Sequence, residues 1–462
     1  MTHAPPARPA PARPSPGARD APPDRASPPG RAAPSDREAL RARFHAVRSA
    51  TEALAAPLSP EDQQLQSMPS CSPTKWHRGH TTWFFEAFVL GPLGTPPHDP
   101  RFAVLFNSYY EALGPRHPRP HRGLLSRPTA AEVGVWRARV DERVDRLLTT
   151  ADGATLARIA PLVTLGLAHE EQHQELLLTD ILHAFAQNPL RPAYRSGGGP
   201  ARLPAQGGAS SVDPAPPGWV AFEEGPAEIG AAVQASAARA EFAFDNEGPR
   251  HRVWLAPYAL ATRLVTVGEA RAFVQAGGYD TPSLWLSDGL DFVRSHGLRA
   301  PGYVKVEDGA WRVFGLDGLR EARDDEPVAH LSFYEADALA RFLGARLPTE
   351  AEWERAASGA PTVGNLRDTD ALRPLPAAGT GLTQLYGDAW EWTASAYAPY
   401  PGYTPAAGAV GEYNGKFMVN QLVLRGGSCL TPPGHIRATY RNFWHPDTRF
   451  QVTGLRLARD LP

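Results

Sequence analysis

The sequence predicts an α+β protein with two domains, a helical bundle followed by a mixed α/β domain. Between Asp36 and about Gln187, apolar residues recur at helical spacing in long segments. From Trp219 onward, short β-prone runs alternate with Gly, Pro and Asp turns. A stretch rich in Pro, Gly, Ala and Ser separates the two patterns, which is typical of a linker between domains.

Four units follow from these changes of composition. Residues 1–36 are mostly Pro, Ala, Arg and Ser, so they cannot bury enough apolar surface to offset the entropy of ordering. They also lack the apolar core of a signal peptide. We expect a disordered tail at 1–36, a helical bundle at 37–187, a linker at 188–217 and the mixed domain at 218–462.

The first domain contains four segments with helical periodicity, at about 37–57, 73–90, 129–150 and 154–187. Pro-rich or Gly-rich loops separate them, which predicts an up-and-down four-helix bundle, a fold whose core can hold a metal. The 90–128 connection is longer than a plain bundle loop, and long loops often carry functional residues.

The second domain contains fewer helical segments. They are predicted at about 266–276 and 332–343, and a third begins after Thr349, which acts as N-cap with Glu352 at position N3. The remaining residues are predicted to form short strands joined by irregular loops.

Composition excludes several classes of partner. The net charge of −2 provides no bulk attraction to nucleic acid or to an anionic membrane. No apolar run approaches the roughly 18 residues that a membrane span needs. The two cysteines, Cys71 and Cys429, suit a reducing compartment. We therefore expect a cytoplasmic protein without a nucleic-acid or membrane partner, while its oligomeric state stays open.

The stretch from His169 to His173 reads His-Glu-Glu-Gln-His within a segment of helical periodicity. Residues i and i+4 share one helix face, where two neutral imidazoles can bind a divalent transition metal. The extended zinc-peptidase pattern fails because Leu176 and Thr179 occupy its glycine and third histidine positions. A peptidase with a downstream Glu ligand and a plain histidine pair without metal are the alternatives.

A third ligand is expected from another helix, where His77 and His80 are the candidates. His80 is followed on its own face by Trp83, Phe84 and Phe88, so it is predicted to point into the core. His77 lies nearer the helix start and is predicted to be solvated. Three neutral imidazoles leave a dication undercompensated, which suits a site that recruits a thiolate and dioxygen-derived ligands.

The long connection carries a tyrosine pair, Tyr109 and Tyr110, followed by Arg116, Arg119 and Arg122 at a spacing of three. A phenol near an oxidising metal can supply a proton or a hydrogen atom. Guanidinium groups suit bidentate capture of a carboxylate. Packing tyrosines and a solvated basic loop are the alternative interpretations.

Five strings of aromatic residues, arginines and glycines mark the second domain. Together they resemble the formylglycine-generating-enzyme (sulfatase-modifying factor) fold, a C-type-lectin-like arrangement, while the first domain resembles a DinB-like four-helix bundle. The fusion, with His80 and His169-x-x-Gln172-His173, resembles the ergothioneine-biosynthetic sulfoxide synthases of the EgtB type over about residues 37–462. The strings span residues 347–354, 387–393, 424–428, 440–444 and 454–459.

The resemblance implies an enzyme that uses Fe(II) and O2 to join a thiol to C2 of the imidazole of hercynine (N-α-trimethylhistidine). It implies that His80, His169 and His173 bind the iron and that Gln172 contacts the hercynine imidazole. Dioxygen takes four electrons in all, two from C–S bond formation and two from oxidation of sulfur to the sulfoxide, so no external reductant is needed.

Further roles are implied by the branch of the family that has an Asn-Ser-Tyr-Tyr loop, here Asn107 to Tyr110. It implies Tyr109 and Tyr110 as catalytic residues. The other branch uses a tyrosine of the second domain, and Tyr400 matches its position. Tyr400 is therefore expected to contact substrate. Arg119 and Arg122 are expected to bind the carboxylate of the thiol substrate.

The pocket wall is expected to include Phe443 and Trp444. The other branch has an acid in this region that contacts γ-glutamylcysteine, but here the string reads Phe-Trp-His. The donor is therefore open between γ-glutamylcysteine and cysteine.

Other members of this architecture remain alternatives. A formylglycine-generating enzyme is disfavoured because its copper needs two cysteines in the second domain, where Cys429 stands alone. An ovothiol-type synthase is disfavoured because its methyltransferase domain is missing. A selenoneine synthase, which uses a selenium donor on hercynine, and a metal-stapled binding module without turnover both stay open.

Overall fold

The structure is a computed structural model that describes residues 34–195, 216–232, 242–307, 309–406, 411 and 414–462. Nearly all of the predicted tail (1–36) and most of the predicted linker (188–217) lie outside these residues. None of the helices in the described part of the chain is long and apolar enough to cross a membrane.

The first domain is the predicted helical bundle. Its long helices begin within a few residues of the predicted segments, and the segment predicted at 73–90 is an α-helix to Phe84 followed by a π-helical turn. Side-chain caps fix two of the starts: Thr129 and Glu132 form a capping box, and Asp152 accepts from the backbone of Thr155. The helices are α1 (Pro34–Ala55), α2 (Thr74–Phe84), α3 (Phe102–Phe106), α4 (Ala130–Thr150) and α5 (Gly153–Gln187).

The bundle core combines apolar packing with a buried ionic cluster. Trp136, Leu148 and Val163 are fully buried between the helices, where burial of a large apolar side chain stabilises the fold by about 1.5–3 kcal/mol. Beside them, Glu170 of α5 pairs with Arg48 of α1 and Arg137 of α4. The cluster therefore ties three helices together on the side of α5 that carries Glu170.

The second domain is a mixed α/β fold, as predicted. The expected capping box of Thr349 and Glu352 is present, and similar boxes start the helices at Val267–Gln275 and Phe333–Phe342. The structure adds one helix that the sequence analysis did not predict, at Ser287–Ser295. The helices are α6 (Val267–Gln275), α7 (Ser287–Ser295), α8 (Phe333–Phe342) and α9 (Glu350–Ala357).

Within the described residues, short strands form four small sheets. One has the order β1–β4–β12, with β1 (Trp219–Phe222), β4 (Tyr258–Leu264) and β12 (Arg456–Asp460). Another has the order β10–β9–β8–β11 and walls the candidate site; its strands are β8 (Trp390–Ala396), β9 (Leu422–Arg425), β10 (Asn442–Trp444) and β11 (Thr453–Gly454). The others pair β2 (Gly225–Ile229) with β3 (His251–Leu255), and join β5 (Val304–Glu307), β6 (Ala310–Gly315) and β7 (Gly318–Glu321).

Helix α5 joins the two domains through polar contacts. The buried carboxylate of Glu175 accepts hydrogen bonds from Trp390 Nε1 (2.8 Å), Ser428 Oγ (2.5 Å) and Thr431 Oγ1 (2.7 Å) of the second domain. Three donors satisfy this carboxylate where water is excluded. The second domain also contacts α5 through Gln172, which donates to Tyr440, so it packs along the part of α5 that carries His169 and His173.

Candidate metal centre and substrate cavity

Three histidines meet where α2 packs against α5. His80 comes from α2, His169 and His173 come from α5, and one ring nitrogen of each lies within 4.8 Å of the others. The Nε2 atoms of His80 and His169 are 3.2 Å apart. Two imidazole nitrogens on one ion, each about 2.1 Å from it, are separated by roughly 3–3.5 Å. The spacing of this histidine cluster therefore fits a shared metal ion.

The protonation of the cluster also suits a metal. Burial lowers the pKa of His169 to about 4, and it lowers the pKa of both His80 and His173 well below the ordinary value. All three rings are therefore neutral at physiological pH, as a metal ligand must be. The carbonyl of Phe106 accepts from Nδ1 of His80 at 2.6 Å, which leaves the lone pair of His80 Nε2 free.

The donor set defines a class of ion. Three imidazoles suit zinc, copper, iron or nickel in the divalent state. The ring of His80 stacks on Trp76 at a centroid distance of 4.6 Å, so its orientation is fixed before any ion binds. The site therefore fits the three-histidine metal that the sequence predicts.

The position of Glu170 argues against the peptidase alternative. Its carboxylate is fully buried and pairs with Arg48 (2.7 Å) and Arg137, away from the cavity. Although burial raises the pKa of Glu170, the charges of Arg137 and Arg48 bring it down to about 2. A carboxylate held by two arginines cannot act as the general base that such an enzyme needs.

His77 corrects one expectation. It was predicted to be solvated, but only 2% of it is exposed. Its Nδ1 lies 2.8 Å from Nδ1 of His173, and its Nε2 lies 3.0 Å from Oδ2 of Asp180. The reason is tertiary, because every residue of α2 is buried between α5 and the long connection.

A cavity in front of the histidine cluster is lined by both domains. The bundle and its long connection supply the three histidines, the tyrosine pair and two arginines. The second domain supplies aromatic and amide side chains. Of the residues predicted from the sequence, those at the cavity are His80, His169, His173, Gln172, Tyr109, Tyr110, Arg119, Arg122, Phe443 and Trp444.

Arg122 is the most unusual residue in the cavity wall. Only 3% of it is exposed, yet it forms no ion pair within the described residues. It donates to Ser72 Oγ (2.9 Å) and Ser108 Oγ (3.1 Å), and its guanidinium lies 3.4 Å from the centre of the Trp76 ring. Burial lowers the pKa of Arg122 to about 9. A buried cation that forms no ion pair favours binding of an anion.

The two tyrosines differ in environment. Tyr109 is half-buried, and its hydroxyl accepts from Arg119 Nη1 at 2.8 Å. Tyr110 is buried, and its ring packs against Phe88 (5.0 Å) and Trp83 (5.8 Å). Tyr109 therefore sits at the polar end of the cavity wall and Tyr110 at the aromatic end.

The second domain contributes the opposite wall. Phe443 stacks on Tyr397 with a centroid distance of 4.0 Å, and Trp444 follows it on β10. The side-chain amide of Gln172 donates to the hydroxyl of Tyr440 at 2.8 Å, which fixes its orientation. The expected aromatic wall is present.

Tyr400 was predicted to contact substrate, and the structure places it elsewhere. It does not line the cavity, and its hydroxyl lies 3.1 Å from Glu350 and 3.0 Å from Arg425 inside the second domain. Its ring lies under Arg441 at 4.0 Å. Tyr400 serves a buried ion-pair network, so we withdraw it from the site.

Several cavity residues were missed by sequence reasoning. Trp76, four residues before His80, is sandwiched between that histidine and Arg122, and a tryptophan at this spacing was a usable signal. Tyr440 and Asn442 lie within the string at 440–444, which was noted without a role for either residue, and no local pattern marks Asn246.

Comparison with known families fits this architecture. The DinB superfamily matches residues 43–177, and the sulfatase-modifying factor enzyme 1-like domain matches residues 208–372 and 362–461. Fold and site thus define a DinB-like bundle fused to a sulfatase-modifying-factor-like domain, with a histidine cluster in the bundle at a cavity lined by both domains.

Individual relatives narrow the class further. The hercynine oxygenase of Mycolicibacterium smegmatis is 32% identical over 87% of this chain and 94% of that protein. The hercynine oxygenase of Mycolicibacterium thermoresistibile is 32% identical over 87% of this chain and 91% of that protein. The formylglycine-generating enzyme of Streptomyces coelicolor is 29% identical over 47% of this chain and 82% of that protein. The chain therefore belongs to the hercynine oxygenase family, and the resemblance drawn from the sequence is confirmed.

Proposed function

We propose that this protein is an O2-dependent non-heme Fe(II) sulfoxide synthase of ergothioneine biosynthesis, which joins a thiol to C2 of hercynine. The observation that carries the proposal is the histidine cluster at a cavity lined by both domains, in a chain whose relatives are hercynine oxygenases. The reaction balances when the C2–H and S–H bonds are lost, C–S and S–O bonds form, and the second oxygen atom leaves as water.

The protein positions the reactants. His80, His169 and His173 would hold the iron, which when bound supplies the redox chemistry of O2 activation. Three protein ligands leave open positions for substrates. The amide nitrogen of Gln172 is committed to Tyr440, so its oxygen is left to accept from the N–H of the hercynine imidazole. The aromatic wall around Phe443 excludes water from the reacting atoms.

Arg122, with Arg119 beside it, is proposed to bind the carboxylate of the thiol donor. Replacing Arg122 by methionine is expected to raise KM for cysteine or γ-glutamylcysteine by about 10–100-fold, because a charge-assisted hydrogen bond contributes about 1.5–3 kcal/mol. Steady-state O2 uptake measures this change. A thiol without a carboxylate, such as cysteamine, is the matched control and is expected to show no comparable increase. An equal increase for both thiols would refute the assignment.

Tyr109 is proposed as the proton donor, because its hydroxyl lies at the polar end of the cavity wall and is oriented by Arg119. Replacing Tyr109 by phenylalanine is expected to lower kcat for sulfoxide formation about 100-fold with unchanged iron content, the range of one general acid. Tyr110→Phe is the matched control and is expected to have a smaller effect, because that ring serves packing. If Tyr110→Phe proves the more damaging change, the roles are reversed.

The overall assignment is tested by O2 uptake of Fe(II)-loaded protein with hercynine and each donor in turn, with products identified by mass spectrometry. Uptake that requires both hercynine and a thiol, with a hercynyl sulfoxide as product, supports the proposal. Uptake only with a selenium donor would make the protein a selenoneine synthase. If the protein binds hercynine but turns over none of the donors, it is a binding module.

A further inference from the structure

One ligand histidine is connected to a buried carboxylate through a second histidine. Nδ1 of His173 lies 2.8 Å from Nδ1 of His77, and Nε2 of His77 lies 3.0 Å from Oδ2 of Asp180. Only 2% of His77 and 6% of Asp180 are exposed. The bridging ring and the carboxylate are therefore buried, while His173 is half-buried at the cavity.

The geometry of α5 explains why a bridging ring is needed. His173 and Asp180 are seven residues apart, which is about two helical turns or 10 Å along the axis. Both face α2, where His77 fills the space between them. The backbone N–H of Ser72 donates to the same Asp180 oxygen at 2.7 Å, which fixes the carboxylate against the start of α2.

The chain of hydrogen bonds has a direction. A carboxylate oxygen accepts, so the His77 tautomer that fits this contact carries its proton on Nε2 and donates it to Asp180. Nδ1 of His77 is then an acceptor, and Nδ1 of His173 must be the donor. The proton of His173 is thereby held on Nδ1, and the lone pair of its Nε2 is left for a metal.

We propose that His77 and Asp180 are positioning residues, which lock His173 as an Nε2 ligand and strengthen it as a donor. The inference rests on the three-histidine metal set proposed above. His77 is not a fourth ligand in this arrangement, because both of its ring nitrogens are already engaged.

The three ligands would then be unequal. Nδ1 of His80 donates to the neutral carbonyl of Phe106, and Nδ1 of His169 is buried without a hydrogen-bond partner among the described residues. Only His173 is linked to a negative charge. A carboxylate behind an imidazole raises its basicity, so His173 is expected to be the strongest of the three donors.

Co(II) titration of the metal-free protein tests the proposal without turnover. His77→Phe removes both hydrogen bonds and is expected to weaken Co(II) binding about 10–100-fold and to shift the visible absorption of the bound ion. His77→Asn is expected to lose less, because its amide oxygen can still accept from His173. Asp180→Asn keeps the acceptor without its charge and is expected to fall between wild type and His77→Phe.

The Co(II) titration has two control variants, one expected to bind like wild type and one expected to lose binding. His183→Phe alters another half-buried histidine of α5, whose Nδ1 contacts Ser67 Oγ at 2.7 Å, and it is expected to bind Co(II) like wild type. His80→Ala removes a proposed ligand and is expected to abolish tight binding. If wild type binds no Co(II), or His80→Ala binds it normally, the proposed metal set fails and the positioning role fails with it.

Two results would contradict the positioning role while leaving the proposed metal ligands intact. With both controls as expected, wild-type affinity in His77→Phe would overturn it, and so would a loss as complete as that of His80→Ala, since His77 would then be a ligand. If His77→Phe does not fold, as judged by circular dichroism, the Co(II) affinities of His77→Asn and Asp180→Asn test the role instead. Affinities below that of wild type support it, and wild-type affinity in both variants overturns it.

Discussion

Replacing His169 by alanine is expected to remove bound iron and to lower turnover by at least about 10³-fold, since metal-ion catalysis supplies several kcal/mol of the barrier reduction. His169 is the cleanest ligand to remove. Its Nδ1 has no hydrogen-bond partner among the described residues, so the substitution breaks no hydrogen bond at that nitrogen. Iron content by atomic absorption and O2 uptake with hercynine and thiol are the measurements.

One control variant and one binding measurement accompany the His169→Ala experiment. His183→Ala, on the same helix but away from the cavity, is expected to keep both iron and turnover. Hercynine binding to the His169→Ala protein, measured by calorimetry, separates an enzyme from a metal-stapled binding module. Iron and turnover at wild-type levels in His169→Ala would show that the histidine cluster is not the catalytic centre.

The sequence carried enough information for the long helices of the bundle and for the histidine cluster, but not for the helix at Ser287–Ser295. The period of apolar residues marked the four long helices of the bundle, and capping residues such as Thr349 marked a start in the second domain. His169 and His173 share a face by the geometry of the helix itself, and the apolar residues after His80 pointed it inward. These signals are local, so a single sequence expresses them.

The remaining features depend on contacts between distant residues. Nothing near His77 in the sequence shows that α5 would cover it and that Asp180 would meet its ring. Tyr400 matched a family pattern, but Arg425 and Glu350, far away in the chain, draw its hydroxyl into a buried network. The cavity wall also depends on distant contacts, since Tyr440 and Gln172 form a hydrogen bond although they are 268 residues apart in the sequence.

Cys429 illustrates how position decides chemistry. It is fully buried in the second domain, and burial raises the pKa of its thiol well above the ordinary value. A protonated thiol in the absence of a metal is a poor nucleophile. Cys429 is also the one cysteine in the described part of the second domain, so a copper site of the formylglycine-generating kind would lack its second thiol there.

Glu170→Gln is expected to lower the free energy of unfolding by about 3–5 kcal/mol, the cost of breaking a buried ion pair from one side. Glutamine keeps the shape of the side chain but leaves Arg48 and Arg137, which are 3% and 1% exposed, without their shared charge partner. Urea unfolding followed by circular dichroism measures the change.

The matched control is Glu142→Gln, which removes an exposed pair with Arg146 four residues along α4. That change is expected to alter the free energy of unfolding by less than about 1 kcal/mol. Turnover per folded, iron-loaded molecule is expected to be unchanged in Glu170→Gln, because the carboxylate faces the ion pairs and not the cavity. A stability change no larger than that of the control would refute the structural role. A loss of turnover in folded, iron-loaded Glu170→Gln protein would indicate that Glu170 takes part in the reaction.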